Sequence, residues 1–315
     1  DTALPTPERL HWGLARSHTQ GMNPARTIAI RAGLPVTVPG ATFNMACASG
    51  MAALLSAAHV LALGGAQAIL AGGAEVMSDT PYLLPGLRWG FGLGHRELPD
   101  VMHQDGLLCP LTGLLMGQTI ERLVARHGIR REEADRLALE SHRRAAAADF
   151  SGERIRLPEL DMDECLRPGT TLEGLAGLPP FFETDGQVTA GNASAIADGA
   201  AALLLTRPGI GEARPLARLL GGVEVGVDPM DMGFGPVPAV QTLLAELGMT
   251  VGEVDLWELN EAFAAQVLCC AQALDLPMDR LNVAGGGISL GHPIGCSGAR
   301  IVVTLIHQLR QRGGG

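Results

Sequence analysis

The chain has 315 residues, 47% of them hydrophobic and only 3% aromatic, with 42 glycines and a formal net charge of −10. That length supports one large or two modest domains with a buried core, and the acidic balance argues against a general nucleic-acid binder. All 23 basic residues are arginine, which excludes Schiff-base chemistry on lysine and leaves an anionic ligand to local Arg side chains or helix N-termini.

In chain order, residues 36 to 46 read as a strand approach and residues 47 to 63 as an apolar helix stopped by Gly64 and Gly65. Ala66 to Ala71 reads as a short buried strand, which completes a strand–helix–strand unit. From Met77 to Ile196 turn residues are dense. Amphipathic stretches at Gly117 to His127 and Arg130 to Ala148 interrupt them, and this middle reads as an excursion from the core domain. Core-like composition returns at residues 197 to 205. Beyond it Pro238 to Leu247 reads as a helix, Val254 to Leu259 as a strand and Glu261 to Leu274 as a helix. Asn282 to Leu290 reads as a Gly-rich strand and Gly295 to Leu309 as a last helix. A faint repeat links Ala48-Ser49-Gly50 to Cys296-Ser297-Gly298, each opening an apolar helix that ends in glycines. The Gly- and Ala-rich, aromatic-poor composition fits a layered α/β protein.

The six cysteines, Cys47, Cys109, Cys165, Cys269, Cys270 and Cys296, show no zinc-ligand spacing, so they read as free thiols with no metal among their roles. No apolar run has the length of a membrane span. A soluble protein of a reducing compartment, the cytoplasm, is the expectation.

Cys47 is the sharpest chemical candidate. It stands where a strand turns into a helix, and the free N–H groups there favour a thiolate and could receive a thioester oxyanion. Its small neighbours leave room for a substrate, although an inert buried cysteine is the common alternative. His292, in Gly291-His292-Pro293-Ile294-Gly295, could activate a thiol or simply cap a turn. Asn260 and Glu261 fit an N-cap and a first-turn carboxylate better than a site. Ser194, in Gly191-Asn192-Ala193-Ser194, sits in what spacing alone makes a plain turn.

Together these segments resemble the thiolase family. Asn44-Met45-Ala46-Cys47-Ala48-Ser49-Gly50 is similar to its nucleophile segment, and Thr189 to Ser194 with Asp198-Gly199-Ala200-Ala201 to its coenzyme A-side loop. Met232 to Ala239, Asn260-Glu261-Ala262-Phe263-Ala264 and Gly291 to Gly295 follow in the family's order. The resemblance implies a five-layered αβαβα fold of two similar halves. Residues 1–76 with 197–216 would form the N-terminal half, 77–196 an inserted loop domain and 217–315 the C-terminal half.

It also implies an acetyl-CoA C-acyltransferase of fatty acid metabolism that cleaves 3-ketoacyl-CoA or condenses two acetyl-CoA. Cys47 would carry the acyl group. His292 would polarise it and, with a water held by Asn260, stabilise the thioester enolate. Ser194 and Arg167 would face coenzyme A, with Phe263 and Met116 as further substrate contacts. Met116 lies in Leu115-Met116-Gly117, where many members have His before Met-Gly. Acyl-CoA and CoA would be the partners, with no permanently bound cofactor, in a homodimer or homotetramer. By the same resemblance the family's second catalytic cysteine, in a later Cys-x-Gly, would fall beyond Gly315, and its first strand and helix would fall before Asp1; Cys296 reads as a packing residue. An impaired acyl-CoA-binding relative and a ketoacyl synthase-like condensing enzyme stand as the alternatives.

Overall fold

A computed structural model describes residues 4–18 and 20–313. Its core is a four-stranded sheet of order β2-β1-β3-β4, with β1 at Arg9–Gly13, β2 at Gly40–Phe43, β3 at Ala68–Glu75 and β4 at Gly199–Thr206. β1 is parallel to both neighbours, Leu10 standing opposite Gly40 and Leu70, while β4 runs antiparallel to β3. Helix α1 (Pro24–Arg31) crosses from β1 to β2. Asn23 caps it by accepting from Arg26 N at 3.2 Å, and Pro24 supplies a preset φ at its first turn. The same Asn23 donates to Gly40 O, so the cap also pins the start of β2.

Helix α2 (Ser49–Ala62) joins β2 to β3 and buries Ala52, Ala53, Leu54, Leu55, Ala57 and Leu61. Gly64, at φ 73°, ends it with a left-handed residue that a side chain would resist. Between β3 and β4 the chain leaves the sheet and builds α3 (Met116–His127), α4 (Arg131–Ala147) and α5 (Leu172–Ala176). After β4 come α6 (Pro236–Leu247), α7 (Ala264–Leu274), the single turn α8 (Gly287–Leu290) and α9 (Ile294–Gln311). Helices α3, α4 and α7 share a core around Ile120, Leu123, Ala138, Ala265 and Cys269.

Two expected strands are not regular strands. Val254 to Leu259 makes one bridge, Trp257 to Leu281, and 282–290 is broken by positive φ at Asn282 and Gly285 before turning into α8. The N–H of Gly286 faces the Ser141 and Ser289 hydroxyls instead of a strand partner. Helix α7 also starts later than expected. Its cap is Phe263, so Asn260 and Glu261 precede the helix and are not its cap and first turn.

Glycines set how closely the layers approach. A Cβ at Gly13 would lie 2.4 Å from Gly50 N, one at Gly73 2.1 Å from Gly295 O, and one at Gly50 2.7 Å from Ala299 N. Gly298 returns the contact, since its Cβ would lie 2.5 Å from Met51 N. The first turns of α2 and α9 therefore meet backbone to backbone, over the ends of β1 and β3. Gly73→Ala should lower unfolding free energy by about 1–3 kcal/mol through overpacking. Gly92→Ala, where nothing lies within 4 Å, should cost much less; urea denaturation of the two variants compares them.

Candidate active site

The segment from β2 to α2 turns sharply at Ala46, which takes φ 47°, a left-handed conformation costing a non-glycine residue on the order of 1 kcal/mol. Its neighbours hold it there. Asn44 Oδ1 accepts from Ala46 N at 3.1 Å, and Ser49 Oγ accepts from Met45 N and donates to Ala46 O at 2.6 Å. Asn44 Nδ2 reaches back to Ala15 O, which ties the turn to the end of β1. Cys47 follows Ala46 and precedes α2.

On the opposite side, α8 and the glycine at 291 (φ 88°) turn the chain so that His292 faces this thiol. His292 N donates to Ala195 O, fixing the backbone of the turn. The imidazole Nε2 lies 3.2 Å from Cys47 Sγ and 3.3 Å from Asn260 Nδ2. Nδ1 lies 2.5 Å from Ser297 Oγ. Ser297 donates its own proton to Pro293 O at 2.9 Å, so its oxygen is an acceptor toward His292. The proton of a neutral imidazole then belongs on Nδ1, and Nε2 keeps its lone pair for the thiol. Burial, with Arg300 and Arg16 nearby, holds His292 down at about 4, so the ring is neutral near pH 7.

Cys47 opens onto the surface, yet protein atoms crowd its sulfur, and the lost solvation pushes the thiol up to about 11. Its own N–H and Arg16 pull in the other direction without prevailing. The expectation that the helix mouth makes Cys47 a resting thiolate is thereby corrected: α2 begins at Ser49, and desolvation outweighs the dipole. The pair is a thiol hydrogen-bonded to a neutral imidazole, set to pass its proton as the sulfur attacks.

Asn260 completes the group. Its Oδ1 is buried without a partner among the described residues, a position suited to a water or a substrate group. Behind it, the Glu261 carboxylate accepts from Ser141 Oγ at 2.6 Å, Asn282 Nδ2 at 3.0 Å and Ile288 N at 3.3 Å. It thus joins α4 to the turn that carries His292. On the sheet side, Glu75 accepts from the backbone N–H groups of Ala15, Arg16 and Gly295.

The other expected contacts lie at varying remove. Ser194 N donates to Ala262 O, and Ala193 pairs with Phe263, which sets both segments alongside Asn260. Arg167 is exposed, and its N–H donates to His142 Nδ1 at 3.2 Å. Met116, half-buried, opens α3, and its carbonyl accepts from Thr119 Oγ1. Cys296 is buried and its thiol pushed up to about 12 by burial, as suits a packing residue. Sequence reasoning did not single out Ser297, Glu75 or Arg16. The signal for Ser297 was its place five residues after His292 in a helix's first turn; for Glu75 and Arg16 no local signal exists. A cavity of about 290 Å³ lined by Ser141, Arg144, Glu261 and Met278 lies behind Glu261, and Cys47 and His292 do not line it.

The family models for the thiolase N-terminal domain and the thiolase C-terminal domain match residues 7–208 and 213–315. The chain belongs to the thiolase family. It is 45% identical to an acetyl-CoA acetyltransferase of Chromobacterium violaceum, over 93% of this chain and 79% of that one. It is 44% identical to an acetyl-CoA acetyltransferase of Escherichia coli, over 93% and 78%. Human mitochondrial 3-ketoacyl-CoA thiolase in complex with CoA superposes with a TM-score of 0.93 at 39% identity, covering 98% of this chain and 81% of that one. The α/β thiolase fold is therefore that of this chain.

In this thiolase chain the thiol state is directly measurable. Alkylation of Cys47 by iodoacetamide, followed by peptide mass, should accelerate about tenfold per pH unit from about pH 7 to about pH 9, because the thiolate fraction is still small there. A plateau at or below about pH 8 would show a thiolate at rest.

Proposed function

We propose that this thiolase transfers acyl groups between Cys47 and coenzyme A, in thiolysis of 3-ketoacyl-CoA or condensation of two acetyl-CoA. The observation that carries this reading is the Cys47 Sγ–His292 Nε2 contact of 3.2 Å, with the Nδ1–H tautomer fixed by Ser297. In thiolysis the Cys47 sulfur attacks the 3-keto carbon while His292 Nε2 takes its proton. The bond between C2 and C3 breaks, C2 gains a proton to leave as acetyl-CoA, and Cys47 holds the shortened acyl group as a thioester. The thiol of coenzyme A then attacks that thioester and frees Cys47.

His292 Nε2 is within reach of the thiol, and as a weak base it takes that proton only as the sulfur bonds to carbon and returns it readily. Asn260, whose open Oδ1 accepts from a water, holds that water where its own O–H donates to the oxyanion. In the same reading Ser194, Phe263 and Met116 line the pantetheine and acyl path, and exposed Arg167 meets the CoA phosphates. Residues 1–76 with 197–216 and 217–315 are the two halves and 77–196 the loop unit, a division supported by the return of β4 beside β3. A homodimer or homotetramer is supported by the exposed apolar side chains Leu216, Leu219 and Leu220. Coenzyme A thioesters are substrates, no cofactor is permanently bound, and the reading places the enzyme in cytoplasmic fatty acid metabolism. Among the described residues no helix is long and apolar enough to cross a membrane.

Incubation with an acyl-CoA followed by intact mass tests the assignment. The wild-type chain should gain one acyl mass, which added CoA removes, and Cys47→Ala should gain none. An adduct of the same size in Cys47→Ala would refute it. His292→Ala should slow adduct formation by on the order of 10²-fold. Ser297→Ala should slow it less, since the tautomer is no longer fixed; the time course of adduct formation reads that difference.

A further inference from the structure

Beside the Cys47–His292 pair lies a charge for which the acyl-transfer steps have no use. Arg16 is only 6% exposed, and Nε and both terminal nitrogens of its guanidinium are buried without a hydrogen-bond partner among the described residues. A buried, unpaired guanidinium is among the costliest groups a protein can hold, and one is kept only where something answers it. The neighbouring carboxylates are engaged elsewhere. Glu75 spends its oxygens on the N–H groups of Ala15, Arg16 and Gly295, and Asp105 turns to His18 Nε2 at 2.9 Å.

The position of Arg16 is set from both sides of the site. Its own N–H is held by Glu75, and the residue before it accepts from Asn44, three residues ahead of Cys47. Glu75 in turn holds Gly295, three residues after His292. The guanidinium lies over Gly106, in the wide turn His103–Leu107. A Cβ at Gly106 would collide with Arg16 Nη1, so the turn admits the arginine only because residue 106 has no side chain. Its charge reaches both Cys47 and His292. The bidentate fork of an arginine matches a carboxylate.

We propose that Arg16 receives a carboxylate at the far end of the acyl chain, making the preferred substrate a 3-ketoacyl-CoA derived from a dicarboxylic acid. This deepens the acyl-transfer reading and rests on it. The reaction is unchanged in its balance: Cys47 attacks the 3-keto carbon, C2 and C3 part, and C2 leaves as acetyl-CoA after gaining a proton. The ω-carboxyacyl group stays on Cys47 until the CoA thiol takes it. Such a substrate comes from a reaction that oxidises the 3-hydroxy thioester of a dicarboxylic acid, and the product feeds reactions that use a short dicarboxylyl-CoA.

The test compares two thioesters of equal length, 3-oxoadipyl-CoA and the neutral 3-oxohexanoyl-CoA, on the full chain. Cys47 adduct formation by intact mass and thiolysis at saturating CoA are both followed. The wild type should favour the carboxylated thioester by about 10²-fold in kcat/KM, and Arg16→Met should reduce that selectivity ratio about 10²-fold. Succinyl-CoA should acylate wild-type Cys47 faster than butyryl-CoA, a comparison that needs no variant and stands even if Arg16→Met fails to fold. Equal rates with the charged and neutral thioesters in the wild type would overturn the proposal. So would an unchanged ratio in Arg16→Met with both rates lowered together, the signature of a group that only tunes the thiol. Absence of a Cys47 adduct from any of these thioesters would overturn the acyl-transfer reading as well, which separates the two failures.

Discussion

The site depends on two helix mouths meeting backbone to backbone. Helices α2 and α9 start beside one another because Gly50 and Gly298 carry no Cβ, and both rest on the sheet because Gly13 and Gly73 carry none either. At those separations a single methyl group would have to displace main chain, which a densely packed interior resists. Cys47 lies just before one mouth and His292 just before the other. Their 3.2 Å contact, spanning 245 residues of chain, is a consequence of the four glycines rather than of any local sequence.

Buried carboxylates then fix what the glycines bring together. Glu75 spends its charge on three backbone N–H groups, two after β1 and one in the first turn of α9. Glu261 does the same work between α4, Asn282 and α8, with its carboxyl raised by burial and steadied by those donors. A carboxylate satisfied in this way acts as a rigid staple, since losing any donor would leave a buried charge uncompensated. Desolvation of the site, with Arg300 and Arg16 beside the ring, keeps the reactive pair neutral. Cys47 is held as a thiol and His292 as a free base, so charge develops only when the sulfur meets a substrate.

Much of this could be read from the residues. The strand–helix–strand unit read at 36–71, the excursion that follows it, the return read at 197–205 and the terminal helix were legible because their apolar patterns and glycine stops are local, although β3 runs on to Glu75. The repeat of Ser-Gly at 49–50 and 297–298 was visible too, and in space it is the contact between the two helices. The stretches 254–259 and 282–290 misled, because apolar and Gly-rich composition suits an extended chain. Whether it pairs depends on distant partners and on φ values such as 48° at Asn282, which composition does not reveal.

Sequence alone determined the chemical types and their family order: a cysteine before a helix, a histidine in a Gly-Pro turn, an asparagine in Asn-Glu-Ala-Phe. It could do so because those motifs are short and their residues neighbours in the chain. The tertiary structure alone decided the protonation states, the histidine tautomer and the isolation of Arg16. Each of these is set by burial and by hydrogen bonds between groups far apart in sequence, and desolvation exists only once the chain has closed around them.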